Sequence, residues 1–403
     1  MKKILSTMLL TAAGAGVSLY AQSEAKEAPL RVSGLVQIDA KLPEGEQSPT
    51  VGVRRGFLRT AYATEWGQAV VQINATESGV NIKDAFIRLQ APGVEWVSFR
   101  AGLLFRPFGY EVSYAAAPRE TPERVRVITS LFPDERDVGA VLALFAPKKS
   151  AFSGLQLELG MVNGNGIAPE NKAKYGDVHK DFVGHLSYGK VYDRVSFGVG
   201  ASYYNGRVML FANEKQDGAP FHFYDMTTGD TLRNTGKPAG YMIGRSAYGV
   251  EGQLTVKTVA GNTTLRTEYL FGRQPGLFDT NVSNCANGYL NRAPGDVYLR
   301  PFSGAYVYFI QDVFSPLHTV VCRYDYYDPN RRLSGDNLLT DGDVRYATFG
   351  AGYMFNPSPS VRLMAFYEWI TNETSHSTSE LVSAKFQHNL KDNMLTVRVQ
   401  YRF

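Results

Sequence analysis

Residues 392–403, DNMLTVRVQYRF, decide the fold. Leu395, Val397, Val399, Tyr401 and Phe403 alternate with Thr396, Arg398, Gln400 and Arg402. A strand sends successive side chains to opposite faces, so this one carries an apolar face and a polar, cationic one. No turn follows it in the sequence. An open sheet would leave such a strand as an unpaired edge, whereas a closed barrel pairs it with the first strand and removes the edge.

Working back from this strand, the chain beyond Leu30 is a series of alternating runs separated by turn chemistry, with no long helical period. The runs lie near 30–40, 54–65, 67–77, 80–91, 94–105, 137–146, 154–163, 181–189, 194–212, 241–257, 261–272, 303–313, 317–327, 343–355, 360–371 and 393–403. They number sixteen, even as a bacterial single-chain membrane barrel requires. Leu265, Thr267, Tyr269 and Phe271 oppose Arg266 and Glu268; His318, Val320, Cys322, Tyr324 and Tyr326 oppose Arg323 and Asp325. The apolar set is expected to meet lipid and the ionised set to line the interior. Aromatic residues at strand ends, such as Tyr327, Phe355, Tyr367 and Trp369, sit where a membrane belt needs them.

Composition agrees with an all-β transmembrane barrel. Tyr and Phe number 24 and 23 against 3 Trp, with 39 Gly, which suits half-buried strands joined by tight turns. The mean hydropathy of −0.21 contradicts helical membrane spans, while a barrel hides its membrane signal in alternation. Lys2 and Lys3, the small and apolar run 4–17 and Leu19-Tyr20-Ala21 read as a signal peptide over residues 1–21. Residues 22–403 are read as one barrel domain in the outer membrane. Without the two leading lysines the formal charge falls from +4 to +2, which carries no nucleic-acid footprint. Cys285 and Cys322 are the only cysteines and are read as free thiols rather than a disulfide framework.

Connections differ in length. The short ones, Glu65-Trp66-Gly67, Glu77-Ser78-Gly79 and Ala260-Gly261-Asn262, are expected to face the periplasm. The long ones, 109–136, 164–180, 213–240, 273–302 and 328–342, are expected to face outside. Residues 110–137 have the length to fold into the lumen as a constriction loop. They carry Arg119, Arg124, Arg126 and Arg136 against Glu111, Glu120, Glu123, Asp134, Glu135 and Asp137, and most of these ions are expected to pair with the wall. Arginine binds phosphate and carboxylate bidentately, so Arg100, Arg106, Arg119, Arg124, Arg126 and Arg136 are the candidate residues of the constriction and solute pathway.

The motifs GLLFRPFGYE (102–111), FPDERDVGA (132–140) and GMVNGNG (160–166) resemble the phosphate-selective porin O and P family. VRRGFLR (53–59), KDAFIRL (83–89), CRYDYYDPN (322–330) and the terminal strand agree in order with that resemblance. It implies a sixteen-stranded passive diffusion porin, a homotrimer among outer-membrane lipids and lipopolysaccharide, handed to the barrel assembly machinery through the terminal Phe403. The implied solutes are small and hydrophilic, with phosphate and other anions among them. The family pattern has lysines just before PFG where this chain has Leu103 and Phe105, with Arg106 as a partial replacement, so phosphate selectivity does not follow.

No zinc-type HExxH spacing, nucleophile elbow or P-loop occurs, and neither a catalytic site nor a cofactor is expected. Asp328, Asp336, Asp341 and Asp343 have the chemistry for a hard cation but match no calcium-loop spacing, so a solvated loop is the alternative. Two other readings stay open: a surface adhesin or structural anchor whose long loops bind a partner, and a barrel enzyme.

Overall fold

The computed structural model describes residues 29–45, 48–164, 166–167, 179–209, 222–228, 233–234, 242–279 and 296–403. Its first nine strands are β1 (Leu30–Pro43), β2 (Thr50–Thr64), β3 (Gly67–Thr76), β4 (Gly79–Leu89), β5 (Val97–Phe105), β6 (Arg136–Phe145), β7 (Leu155–Val162), β8 (Asp181–Val191) and β9 (Val195–Met209). Two short strands follow, β10 (His222–Asp225) and β11 (Arg233–Asn234). The wall resumes with β12 (Met242–Thr258), β13 (Gly261–Gly276), β14 (Val297–Val313), β15 (Ser315–Asp328), β16 (Tyr346–Phe355), β17 (Val361–Asn372) and β18 (Met394–Arg402).

Each wall strand pairs antiparallel with the next, and β9 pairs with β12 across the two short strands. The terminal strand β18 pairs with β1 from Leu35↔Arg402 to Pro43↔Met394. The sheet therefore closes into a sixteen-stranded antiparallel barrel of the transmembrane type. All sixteen expected runs are strands, although β2 starts earlier, at Thr50, and β14 at Val297. The extra length is concentrated in β12 to β15, which run 14 to 17 residues where β3 to β8 run 8 to 11. At ~3.3 Å per residue the rim on that side stands well above the rest. There β10 pairs parallel with Val297 to Leu299 of β14, over a small apolar cluster of Val208, Phe223, Ile243, Leu277, Val297 and Leu299.

Side-chain direction follows the alternation. In β18, Val397, Val399 and Tyr401 are 41, 48 and 52% exposed on the outside, while Thr396, Arg398 and Gln400 are each 2% exposed inside. Cys322 is a free thiol, and Cys285 lies outside the described residues. One expectation needs correction. Glu77 and Ser78 join β3 to β4 at the same end as the long loops, because strands alternate up and down around a closed antiparallel sheet. That hairpin is short because Gly79, with φ +125°, turns the chain at once. Sequence reading also passed over 373–393, a long loop at that end whose Phe386 packs on Leu338 and Val344 of the preceding loop.

Membrane barrels with polar walls have no core of their own between the strands, yet this lumen contains one. Phe108, Val112, Val125, Val127, Ile128 and Phe132, all between β5 and β6, are buried against Leu270, Phe302, Tyr306 and Val321 of the wall. The helix α1 (Arg126–Leu131) comes so close to β14 that a Cβ on Gly304 would lie 2.5 Å from Val127 Cγ2. Gly304→Val should push α1 off the wall at a cost of about 1–3 kcal/mol, the usual range for overpacking. Limited proteolysis of the folded barrel checks this: wild type should resist cleavage within 109–135 and the variant should be cut there. Equal resistance would remove the claim that this contact seats the helix.

Candidate functional site

The segment 106–135 leaves β5 at the loop end, folds into the lumen and returns to β6. Entry depends on Gly109, which has φ +57°, donates its N–H to Ser202 Oγ at 2.8 Å and has no room for a Cβ beside the Glu268 carboxylate. Phe108 stacks on Phe132 with ring centroids 4.6 Å apart, joining the two limbs of the loop. The return passes through Asp134 and Glu135, with φ of 64° and 60°, a left-handed pair that costs non-glycine residues about 1–2 kcal/mol each. Their side chains hold them there: Lys83 pairs with Asp134 at 3.3 Å, and Glu135 accepts from Arg124 at 2.7 Å and Arg136 at 2.9 Å.

The other face of the loop is tied down by ions. Arg266 of β13 grips Glu120 bidentately at 3.0 and 3.1 Å, with its guanidinium 4.6 and 4.7 Å from the rings of Tyr110 and Tyr114. Glu123 is shared by Arg54 and Arg55, with Arg55 Nη2 at 3.0 Å, and Arg398 Nη2 lies 3.6 Å away. Arg398 itself is held bidentately by Asp39 at 2.6 and 2.7 Å and donates to the Pro122 carbonyl at 2.8 Å. Arg362 donates to the carbonyls of Ala117, Pro118 and Arg119 at 3.0 to 3.3 Å.

Two β-bulges build the cationic wall. Gln37 pairs with Arg55 and Ile38 with Val53, leaving Arg54 as the extra residue; Gln72 pairs with Asp84 and Ile73 with Ile82, leaving Lys83 extra. A bulge lets neighbours share a face, so Arg54 with Arg55, and Lys83 with Asp84, all reach into the lumen. Arg54 and Lys83 are absent from the candidates named from sequence. The signal was present: VRRG and IKDA each break the alternation with two adjacent polar residues.

The six arginines named from sequence fall into three environments. Arg106 is buried against Asp137 at 3.1 Å, Arg136 against Asp84 at 2.7 Å, and Arg124 is spent on Glu135 and the carbonyls of Glu111 and Tyr114. Arg119 is buried with no carboxylate, donates only to the Tyr114 carbonyl at 3.4 Å and leaves its Nε without a partner. Burial, then the nearby Arg124 and Arg55, pull this guanidinium down to about 9, still charged at neutral pH. Arg100 is half-buried and paired with Glu158, and Arg126 is half-buried over the Tyr346 ring at 3.9 Å. Four other charges at the loop and its facing wall stay partly open to solvent: the side chains of Arg54, Arg59, Glu123 and Asp134 are 40, 28, 30 and 46% exposed. Cations thus come from the wall at β2 and β4, and acids from the loop.

Among the described residues no cluster of His, Cys, Asp and Glu is arranged to hold a metal ion. Asp328, Asp336, Asp341 and Asp343 instead accept hydrogen bonds within the outer loops, from Asn330, His376, Ser383 and Thr340 backbone N–H groups.

Glu135 offers a pH test of the loop's anchorage. Burial raises its carboxyl, but Arg124, Arg136 and Arg119 outweigh that and bring it from 4.5 down to about 2. A lowered carboxylate contributes stability that is complete above about 4.5 and lost as pH falls through about 2. Glu135→Gln should therefore cost on the order of 2–3 kcal/mol at pH 7 and progressively less below pH 5, measured by unfolding of both proteins across that range. A difference that does not change with pH would sink the assignment.

Neither a scan against protein-family models nor a search of curated proteins finds a match. Solved structures do match in fold. OmpT of Vibrio cholerae in its trimer form aligns with TM-score 0.55 at 12% identity, over 93% of this chain and 99% of that one. The anion-selective porin from Comamonas acidovorans aligns with TM-score 0.54 at 11% identity, over 94% and 100%. OprB of Pseudomonas putida aligns with TM-score 0.54 at 8% identity, over 93% and 94%. At these identities the likeness is one of fold: the chain has the sixteen-stranded architecture of several outer-membrane porins, and nothing in the likeness singles out the phosphate-selective O and P family.

Proposed function

We propose that this protein is an outer-membrane porin, a passive water-filled path for small hydrophilic solutes. The observation that carries the reading is the lumen itself, a closed polar wall crossed by an infolded loop whose Glu123 and Asp134 meet Arg54 and Lys83 of the wall. Charged side chains of both signs in a narrowed lumen filter solutes by size and sign. Arg100 and Arg126 contribute to the pathway. Arg106, Arg119, Arg124 and Arg136 set the position of the loop that narrows it. Phosphate and other anions are candidate solutes because guanidinium groups bind them bidentately.

The rest of the reading follows from export. Residues 1–21 serve as a cleaved signal peptide, and the terminal Phe403 marks the chain for barrel assembly. The assembled protein is a homotrimer among lipids and lipopolysaccharide. Its contact face is the exterior of β1 to β4, where the exposed Val36, Ile38, Val71, Val80 and Ile87 are aliphatic, unlike the tyrosine-rich exterior of β9 to β15.

Reversal potentials of the refolded protein in a planar bilayer under a KCl gradient test the proposal. Wild type should conduct, deletion within 112–134 should raise conductance, and Arg54→Gln should move selectivity toward potassium. Chloride preference with block by phosphate would support an anion path. Potassium preference would discard phosphate and keep the porin, and a folded protein that leaves the bilayer silent would overturn the channel.

A further inference from the structure

The membrane-facing side of the wall carries one feature that a channel does not require. On β8, β9, β12 and β13 the outward positions hold no carboxylate, and Lys190, Arg207 and Arg273 are their only charged side chains. Lys190 lies at the turn end. Arg207 and Arg273 lie at the loop end, one on each side of β12, where Gly244 pairs with Arg207 and Ser246 with Arg273. Both arginines are exposed, and neither forms an ion pair among the described residues. The Arg273 side chain reaches over the glycine toward the β9 side: a Cβ on Gly244 would sit 3.5 Å from Arg273 Nη2. No other described wall strand presents an outward cation at this end.

Beneath the pair lies a layered surface. Asn205 and Ser246, paired across β9 and β12, come first. Two residues lower are Tyr203 and Tyr248, with ring centroids 5.0 Å apart, flanked by Phe271 at 5.2 Å from Tyr248 and by Phe182 at 6.3 Å from Tyr203. Arg273 is near enough to the Tyr203 hydroxyl to act on it electrostatically. Val199, Val250 and Leu265 continue the exposed surface toward the membrane centre. Tyrosine and phenylalanine at this level mark the boundary between headgroups and acyl chains. Two guanidinium groups without an ion pair among the described residues, a step above it and with hydroxyl and amide donors just beneath them, have the chemistry of a phosphate site, and the apolar strip below suits acyl chains.

We propose that the outward face of β9, β12 and β13 binds the phosphate of an outer-leaflet lipid between Arg207 and Arg273, with its acyl chains along the Tyr203 and Tyr248 strip. The inference rests on the outer-membrane orientation of the long loops and is independent of what the lumen conducts. A lipid rather than a free anion is the occupant because the cations lie on the membrane side of the wall, continuous with the aromatic band.

Native mass spectrometry of the detergent-solubilised, refolded chain tests this with diphosphoryl lipid A and the same lipid stripped of its phosphates. Wild type should retain the phosphorylated form selectively. Arg207→Gln with Arg273→Gln should weaken retention roughly tenfold or more, the scale of losing charge-assisted hydrogen bonds, while Lys190→Gln should leave it unchanged. Heat-modifiability on gels and bilayer conductance should be those of wild type in both variants, so failure of the lipid site and failure of the channel read separately. Equal retention of both lipids by wild type, or undiminished retention by the double variant, would overturn the proposal. Should the double variant not fold, competition on wild type decides: displacement of the lipid by millimolar inorganic phosphate would make this a free-anion site and overturn the lipid, and resistance to displacement would support it.

Discussion

The carboxylate of Glu123 is the constraint on which the lumen's geometry depends. It sits on the infolded loop and meets Arg54 and Arg55 of β2, with Arg398 of β18 beside it and Asp39 of β1 behind Arg398. The strands that carry those cations are the ones at which the barrel closes. Ion pairs taken out of water contribute little net stability, since desolvation offsets most of the attraction, but breaking one leaves an uncompensated charge that costs about 3–5 kcal/mol. The cluster therefore specifies where the loop lies more than it stabilises the barrel. A loop displaced from the wall would leave three guanidinium groups crowded around Asp39 alone.

The apolar half of the loop does the complementary work. A membrane barrel turns its hydrophobic side chains outward to lipid, so the wall alone cannot hold anything inside by burial. Here Leu270, Phe302, Tyr306 and Val321 break the polar rule for inward positions, and each is covered by the loop. Burial of Val127, Ile128 and Phe132 against them, at ~25 cal/mol per Å² of apolar surface, gives the loop a hydrophobic seat that ion pairs cannot supply. The tall strands β12 to β15 form the seat, and the bulged strands β2 and β4 face it across the lumen.

Most of the fold was legible because closure, alternation and turn chemistry are local in sequence. DNMLTVRVQYRF announced a strand needing a partner, and β1 supplies it. The sixteen runs emerged because each repeats with period two over a full membrane crossing. The candidate site was less legible, since a loop's charges can be counted in sequence but their partners cannot. Arg106, Arg124 and Arg136 look like pathway residues in the text and are buried against Asp137, Glu135 and Asp84 in the fold. Arg54 and Lys83 are exposed to view only through register shifts, which depend on the neighbouring strand as much as on their own. Sequence reading treated 110–137 as a string of ions and overlooked the apolar run VRVITSLF that seats it.

The two halves of the wall explain why the solvent-exposed charges cluster where they do. The loop leans on the apolar inner face of β13 to β15 and reaches β2 and β4 through Glu123 and Asp134, and the bulges there double the number of polar side chains that meet it. An unbulged strand would offer one inward residue in every two; VRRG and IKDA each offer two in succession at the level of the loop. The acids Glu123 and Asp134 that face them are fixed from behind, one by the Arg266 grip on neighbouring Glu120 and the other by the left-handed return at Asp134 and Glu135. Selectivity in such an arrangement depends less on the loop's net charge than on which charges remain unburied. Burial takes Arg119, Arg124 and Arg136 of the loop out of solvent, while Arg54 and Arg59 of the wall keep part of their exposure.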